Sequence, residues 1–123
     1  VEADRMAAAR KLQALYGGTV LLKGAGTIVA SEGGFLDVIS GSNPGMATGG
    51  MGDVLSGIIG AVLGQIGDGQ KAAVIGASAH LAAADTASES SGFIGLVPTD
   101  VIDALPLVFR KAEISPGAGE AWA

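Results

Sequence analysis

The chain has 123 residues, enough for one domain or part of a larger one. Its formal net charge of −5, with no basic run beyond Arg10-Lys11 and Arg110-Lys111, argues against a nucleic-acid-binding surface. The absence of cysteine excludes a disulfide framework and thiolate metal sites, and a lone histidine without an HExxH pattern offers no zinc ligand set.

The first element in the chain is a helix over residues 2–16, with Met6, Leu12 and Leu15 on one face and alanines filling the rest. Gly17-Gly18 ends it. Residues 19–22 are a short apolar run between turn signals, read as a buried strand. Gly24-Ala25-Gly26 makes a tight turn into a second strand over 27–30, and residues 35–39 form a third. This β-rich segment is expected to include an antiparallel pair. A glycine-rich loop follows, then a helix that starts at Asp53 or the glycines before it and runs to Gln65. Gly67-Asp68-Gly69 breaks the chain before an alanine-rich helix over 71–88. A polar loop over 88–95 leads to a last helix, with Thr99 as its N-cap and Asp100 in its first turn. Pro106 is expected to kink or limit that helix, and the tail from Ile114 reads as a loose end.

A mean hydropathy of +0.50 raises the question of a membrane span. The longest apolar stretch, residues 54–66, is broken by Ser56, three glycines and Gln65, and falls short of the roughly 20 residues a span needs. The expectation is a cytoplasmic protein with no membrane partner. The strands finish early, and so few of them would not cover the helices of a complete α/β domain. The chain therefore reads as the latter part of a larger domain.

The loop Asn43-Pro44-Gly45-Met46-Ala47-Thr48-Gly49-Gly50-Met51-Gly52-Asp53 concentrates glycine just before an apolar run. A glycine loop entering a helix aims unpaired first-turn N–H groups, and the positive end of the helix dipole, at one point. Such a point binds anions, and the missing Cβ atoms let phosphate oxygens approach. A carboxylate beside that anion site can orient a hydroxyl and take its proton during phosphoryl transfer. Asp53 is equally well read as an ordinary helix N-cap. The loop lacks the GxxxxGK[ST] pattern of a P-loop.

Three blocks carry a family resemblance: Val20 through Thr27 with its Lys23-Gly24-Ala25-Gly26-Thr27 core, Asn43 through Gly57, and His80-Leu81-Ala82-Ala83-Ala84-Asp85. Together with Gly95 through Asp100 they resemble the ADP/ATP-dependent NAD(P)H-hydrate dehydratases, which have the ribokinase-like fold. The resemblance implies an α/β chain forming the C-terminal portion of a three-layer α/β/α domain whose N-terminal half is absent. It implies that ADP or ATP, with Mg2+, phosphorylates the 6-hydroxyl of the S epimer of hydrated NAD(P)H (NAD(P)HX), after which phosphate leaves and NAD(P)H is restored. Carried over residue by residue, Asp53 is the base on the substrate hydroxyl. Thr48, Gly49, Gly50, Met51 and Gly52 bind phosphates, and Lys23, Gly24, Ala25, Gly26 and Thr27 line the nucleotide site. Asn43 orients substrate or a magnesium-bound water. No protein metal ligands are implied.

Lys23 alone would read as a solvated charge at a strand end. His80 reads as a hydrogen-bonded packing histidine, Asp85 as a helix-packing contact, and Met46 and Met51 as nucleotide contacts or space-fillers. Two rival readings stay open. One is a small-molecule kinase of the same fold. The other is an inactive half-domain that binds nucleotide weakly or serves only as an assembly partner. Besides nucleotide and substrate, the partners expected of the chain are a further copy in a homo-oligomer or a complementing N-terminal half.

Overall fold

The structure is a computed structural model that describes residues 2–114. In chain order it has α1 (Glu2–Tyr16), β1 (Val20–Leu22), β2 (Thr27–Ala30), β3 (Leu36–Ile39), α2 (Met51–Ile66), α3 (Gly69–Ser91) and α4 (Pro98–Ile114), with short 3-10 turns at Glu32–Gly34 and Pro44–Ala47. The strands form one antiparallel sheet in the order β1-β2-β3, with Leu21 opposite Val29 and Val29 opposite Asp37. The antiparallel pairing expected of this segment is thus present twice.

Strand alternation sorts the sheet into two faces. Ile28 and Ala30 turn toward α1 and pack with Ala9, Met6, Leu22 and Leu36. Leu21, Val29 and Asp37 occupy the other face, where the Asp37 carboxylate accepts a hydrogen bond from Gln70 of α3. The layers are therefore α1, the sheet, and α3, with α2 and α4 against α3. The buried positions of α3 are Ala72, Ala73, Gly76, Ala77, Ala79, His80, Ala83 and Ala84. Side chains this small let one helix be approached from several sides.

α1 departs from expectation. Its buried face runs through Met6 and Ala9, whereas Leu12 is 37% and Leu15 70% exposed. Of the expected residues only Met6 meets the sheet; the apolar residues of the helix could not say which stripe does. α3 is longer than expected at both ends. Asp68 caps it by accepting from the Lys71 N–H at 3.0 Å. The hydroxyls of Thr86, Ser88 and Ser91 donate to carbonyls one turn back, so a polar stretch continues the helix. In α4 the N-terminal bond comes from Asp100, whose carboxylate accepts from the Val97 N–H at 3.0 Å; Thr99 lies inside the first turn rather than at the cap. Pro106 does not end the helix, because Leu105 and Val108 on either side of it pack onto the core. The tail beyond Ile114, read as a loose end, lies outside the described residues.

The α2–α3 contact sets a clear stability test. A Cβ on Gly76 would lie 2.5 Å from Ile59 Cγ1 and 3.3 Å from Ile59 Cα, so the two helices meet there without room for a methyl group. Gly60 and Gly64 of α2 have no atom within 4 Å of such a Cβ. Gly76→Ala is expected to destabilise by about 1–3 kcal/mol, while Gly60→Ala and Gly64→Ala each stabilise by about 0.5–1 kcal/mol. Urea midpoints of the three variants check this, and equal effects of one sign would contradict the packing.

Candidate functional site

The glycine loop is anchored from behind. Asn43 is buried, its side-chain oxygen accepts from the Gly45 N–H at 2.9 Å, and its amide donates to Asp85 Oδ1 at 2.8 Å and Ser88 Oγ at 3.1 Å. One side chain thus ties the loop entry to the C-terminal half of α3. Thr48 Oγ1 donates to the Gly45 carbonyl at 2.8 Å and more weakly to the Leu96 carbonyl at 3.4 Å. Gly45 itself admits no side chain, since a Cβ there would meet Leu96 Cδ2 at 2.8 Å and the Phe93 carbonyl oxygen at 2.9 Å. The loop is held on the inside so that its outside stays open.

The open side is Gly49, Gly50 and the first turn of α2. Gly50 is the N-cap residue with φ of 93°, a left-handed conformation that favours glycine. Asp53 is therefore the third residue of α2 and not its cap, which removes the simplest structural reading of that carboxylate. The Met51 N–H donates to the Thr48 carbonyl at 3.3 Å, and the Met51 side chain is 1% exposed in the core with Ala83, Ala84, Leu96 and Val101. Met46 packs against that cluster. The N–H groups of Gly52 and Asp53 make no hydrogen bond among the described residues, as expected at a helix start. Lys23 reaches this turn: a Cβ on Gly52 would lie 3.3 Å from Lys23 Nζ. Two free amides, a helix N-terminus and an ammonium converge there. Asp53 is exposed beside them.

Two cavities flank this point. One, of about 450 Å3, is lined by Lys23, Gly24, Ala25, Thr27, Ser42, Asn43, Met46, His80 and their neighbours. The other, of about 820 Å3, is an apolar groove between α2 and α4 that begins at Asp53. Most sequence-predicted residues gather at the first cavity or at the turn between the two. Gly26 is buried behind the first cavity. Arg5 of α1 was not singled out in the sequence. Its guanidinium donates to the Gly26 carbonyl at 2.6 Å and fills the space where a Cβ on Gly24 would fall, bracing the Lys23–Thr27 turn from the far side. Arg5 lies 21 residues from Gly26 in sequence, so no local signal marks the contact.

His80 is packed as expected, at 1% exposure, but its Nε2 has no hydrogen-bond partner. Burial, and then the charge of Lys23, hold its pKa below the ordinary 6.5. The unfolded chain consequently binds a proton at higher pH than the folded one. Stability from this group is complete above pH 6.5 and is lost as pH falls toward and through the lowered folded value. The slope is at most about 1.4 kcal/mol per pH unit. Urea denaturation just above and just below pH 6.5 should show the fall, and His80→Gln should flatten it.

Among the described residues no group of three or more His, Cys, Asp or Glu could hold a metal ion, and no helix is long and apolar enough to cross a membrane. Mg2+ is commonly held by one or two carboxylates together with substrate phosphates, so its use does not require such a group.

Comparison with known proteins gives a consistent picture. The family described as NAD(P)H-hydrate dehydratase matches residues 1–107. The bifunctional NAD(P)H-hydrate repair enzyme Nnr of Escherichia coli is 50% identical over 105 residues, covering 85% of this chain and 20% of that protein. The ADP-dependent (S)-NAD(P)H-hydrate dehydratase of Neisseria meningitidis is 48% identical over 105 residues, covering 85% of this chain and 36% of that one. The Bacillus subtilis ADP/ATP-dependent NAD(P)H-hydrate dehydratase, co-crystallised with ATP/Mg2+, superposes with a TM-score of 0.83 at 26% identity, over 89% of this chain and 40% of that one. The chain thus spans about a fifth of the bifunctional relatives.

Proposed function

The chain belongs to the NAD(P)H-hydrate dehydratase family, and from that premise we propose that it supplies the phosphoryl-transfer part of an ADP- or ATP-dependent dehydratase acting on the S epimer of hydrated NAD(P)H. The observation that carries the reading is the start of α2, where the Gly52 and Asp53 amides are unpaired, Lys23 Nζ approaches Gly52 from the side of one cavity, and Asp53 opens onto the groove on the other side. Asp53 takes the proton of the 6-hydroxyl as that oxygen attacks the terminal phosphorus of the nucleotide. The amides and Lys23 stabilise the charge that grows on the phosphoryl oxygens. In the second half of the reaction the C6–O bond breaks, phosphate leaves into the same anion site with its bonding pair, and loss of a C5 proton to solvent supplies the electrons for the ring C5=C6 double bond. Mg2+, bound with the nucleotide, supplies further neutralisation of phosphate charge.

Gly49 and Gly50 bind phosphate on the open side of the loop, with the Gly52 amide at the helix start. Met51 contributes backbone only. Lys23, Gly24, Ala25 and Thr27 line the nucleotide cavity, and Gly26 shapes its turn. Asn43 and Thr48 act by positioning the loop, since their polar atoms are engaged within the protein. The apolar α2–α4 groove beginning at Asp53 offers room for substrate. Residues 1–123 form the C-terminal portion of the catalytic domain, in a cytoplasmic protein whose site is completed by an N-terminal half or by a further copy.

The direct experiment is recovery of reduced-nicotinamide absorbance from hydrated NADH with Mg2+ and ADP, which dehydration requires. Appearance of a stable phosphorylated alcohol would establish a kinase instead. A narrower test uses Gly49, where a Cβ would meet no atom within 4 Å. Gly49→Ala should leave the urea midpoint unchanged yet weaken ADP binding about tenfold, by obstructing close phosphate approach. Unchanged ADP affinity would remove Gly49 from the phosphate site.

A further inference from the structure

His80 is the buried titratable side chain that this mechanism leaves unused. α3 carries it to the wall of the 450 Å3 cavity, where it is joined by Lys23, Thr27, Ser42 and Asn43. The ring is 1% exposed and its Nε2 is unpaired; among the described residues the only other such side-chain atom is Ser31 Oγ, which faces a different cavity. Buried polar atoms are paired in the great majority of cases, so an exception on a cavity wall points to a missing partner.

The chemistry of that partner can be narrowed. Lys23 is the other titratable side chain among the described residues lining the cavity. The remaining elements around the cavity contribute Leu55 from α2, Ile39 from β3, and Pro44, Met46 and Ala47 from the 3-10 turn, none of them charged. On α3 the next carboxylate, Asp85, accepts a bond from Asn43, and Asp53 opens onto the groove on the other side of α2. A cation and an unpaired imidazole nitrogen with no anion between them suit an oxyanion. An oxyanion would accept from both, and a neutral ring adds a donor without placing a second positive charge beside Lys23.

We propose that His80 is a ligand-binding residue of the Lys23 cavity, its Nε2–H donating a hydrogen bond to a phosphoryl oxygen of the bound adenine nucleotide. The inference rests on the nucleotide reading above and adds a residue to it. A phosphoryl oxygen there offsets the charge of Lys23 and favours the imidazolium, so nucleotide binding and His80 protonation strengthen each other.

His80 is the one histidine of the chain, so its imidazole proton signals are assigned without mutagenesis. The test is an NMR pH titration of the whole chain, free and with saturating Mg2+–ADP, repeated with inorganic diphosphate. The expected result is a displaced His80 signal whose apparent pKa rises by at least about half a unit with either probe. His80→Leu is expected to weaken ADP binding several-fold, and His80→Gln, which keeps a donor, to restore part of it. ADP binding that perturbs the Gly49–Gly52 amides but leaves the His80 titration in place overturns this inference and spares the nucleotide site. A pKa that falls, or moves with ADP but not with diphosphate, also overturns it, placing the ring against the base. Absence of ADP binding overturns both.

Discussion

Asp53→Asn is expected to slow ADP-driven restoration of the reduced nicotinamide by about two to four orders of magnitude, with ADP affinity retained. The two side chains have nearly the same shape, so the first turn of α2 keeps its geometry and its free Gly52 amide. What disappears is the capacity to accept the proton of the attacking hydroxyl. The competing role for this carboxylate is structural, because a negative charge in the first turn of a helix is worth about 0.3–1 kcal/mol. That role predicts a small fall in stability and no fall in rate. Steady-state rates and urea midpoints measured on the same variant separate the two. A full rate would show that Asp53 only complements the helix dipole and that the base lies elsewhere.

Asn43→Ala is expected to give the largest loss of stability among single changes at the site, about 2–3 kcal/mol. The side chain is 5% exposed and makes three hydrogen bonds, one capping the 3-10 turn at Gly45 and two reaching across 42 and 45 residues of sequence to Asp85 and Ser88. Alanine removes all three and loosens the loop from α3, so ADP affinity should drop along with the urea midpoint. The bond to Asp85 carries a charge and should dominate the two long-range contacts. A double-mutant cycle of Asn43→Ala with Asp85→Ala is expected to show coupling of about 0.5–3 kcal/mol. Coupling near zero would mean that the loop is held by Thr48 and the tight fit of Gly45, and that the Asn43–Asp85 bond is incidental.

Part of the site could be read without coordinates. Glycine density before an apolar run, followed by one acid, has a local physical meaning, because the unpaired amides of a helix start are a property of the first turn itself. The helices and strands were similarly legible, since their spacing and punctuation are local. The errors fell where two local signals competed. Thr99 and Asp100 both favour a helix start; both lie inside the first turn of α4, and it is the Asp100 carboxylate that reaches back to the Val97 N–H. Ser88 and Ser91 resemble loop residues until their hydroxyls find carbonyls one turn back. Leu12 and Leu15 look like core until the sheet selects the Met6–Ala9 stripe instead.

Element order, the antiparallel strand segment, the glycine loop and the family all depend on residues close together in the chain, and local pattern was enough to read them. Tertiary structure alone decided that Asn43 is tied to Asp85, that Arg5 braces the Gly24–Gly26 turn, that Lys23 reaches the start of α2, and that His80 faces a cavity with a nitrogen unpaired. These are contacts between residues far apart in sequence. Each depends on how helices and sheet pack, and close packing is settled by side-chain volumes meeting across elements, which no local pattern records.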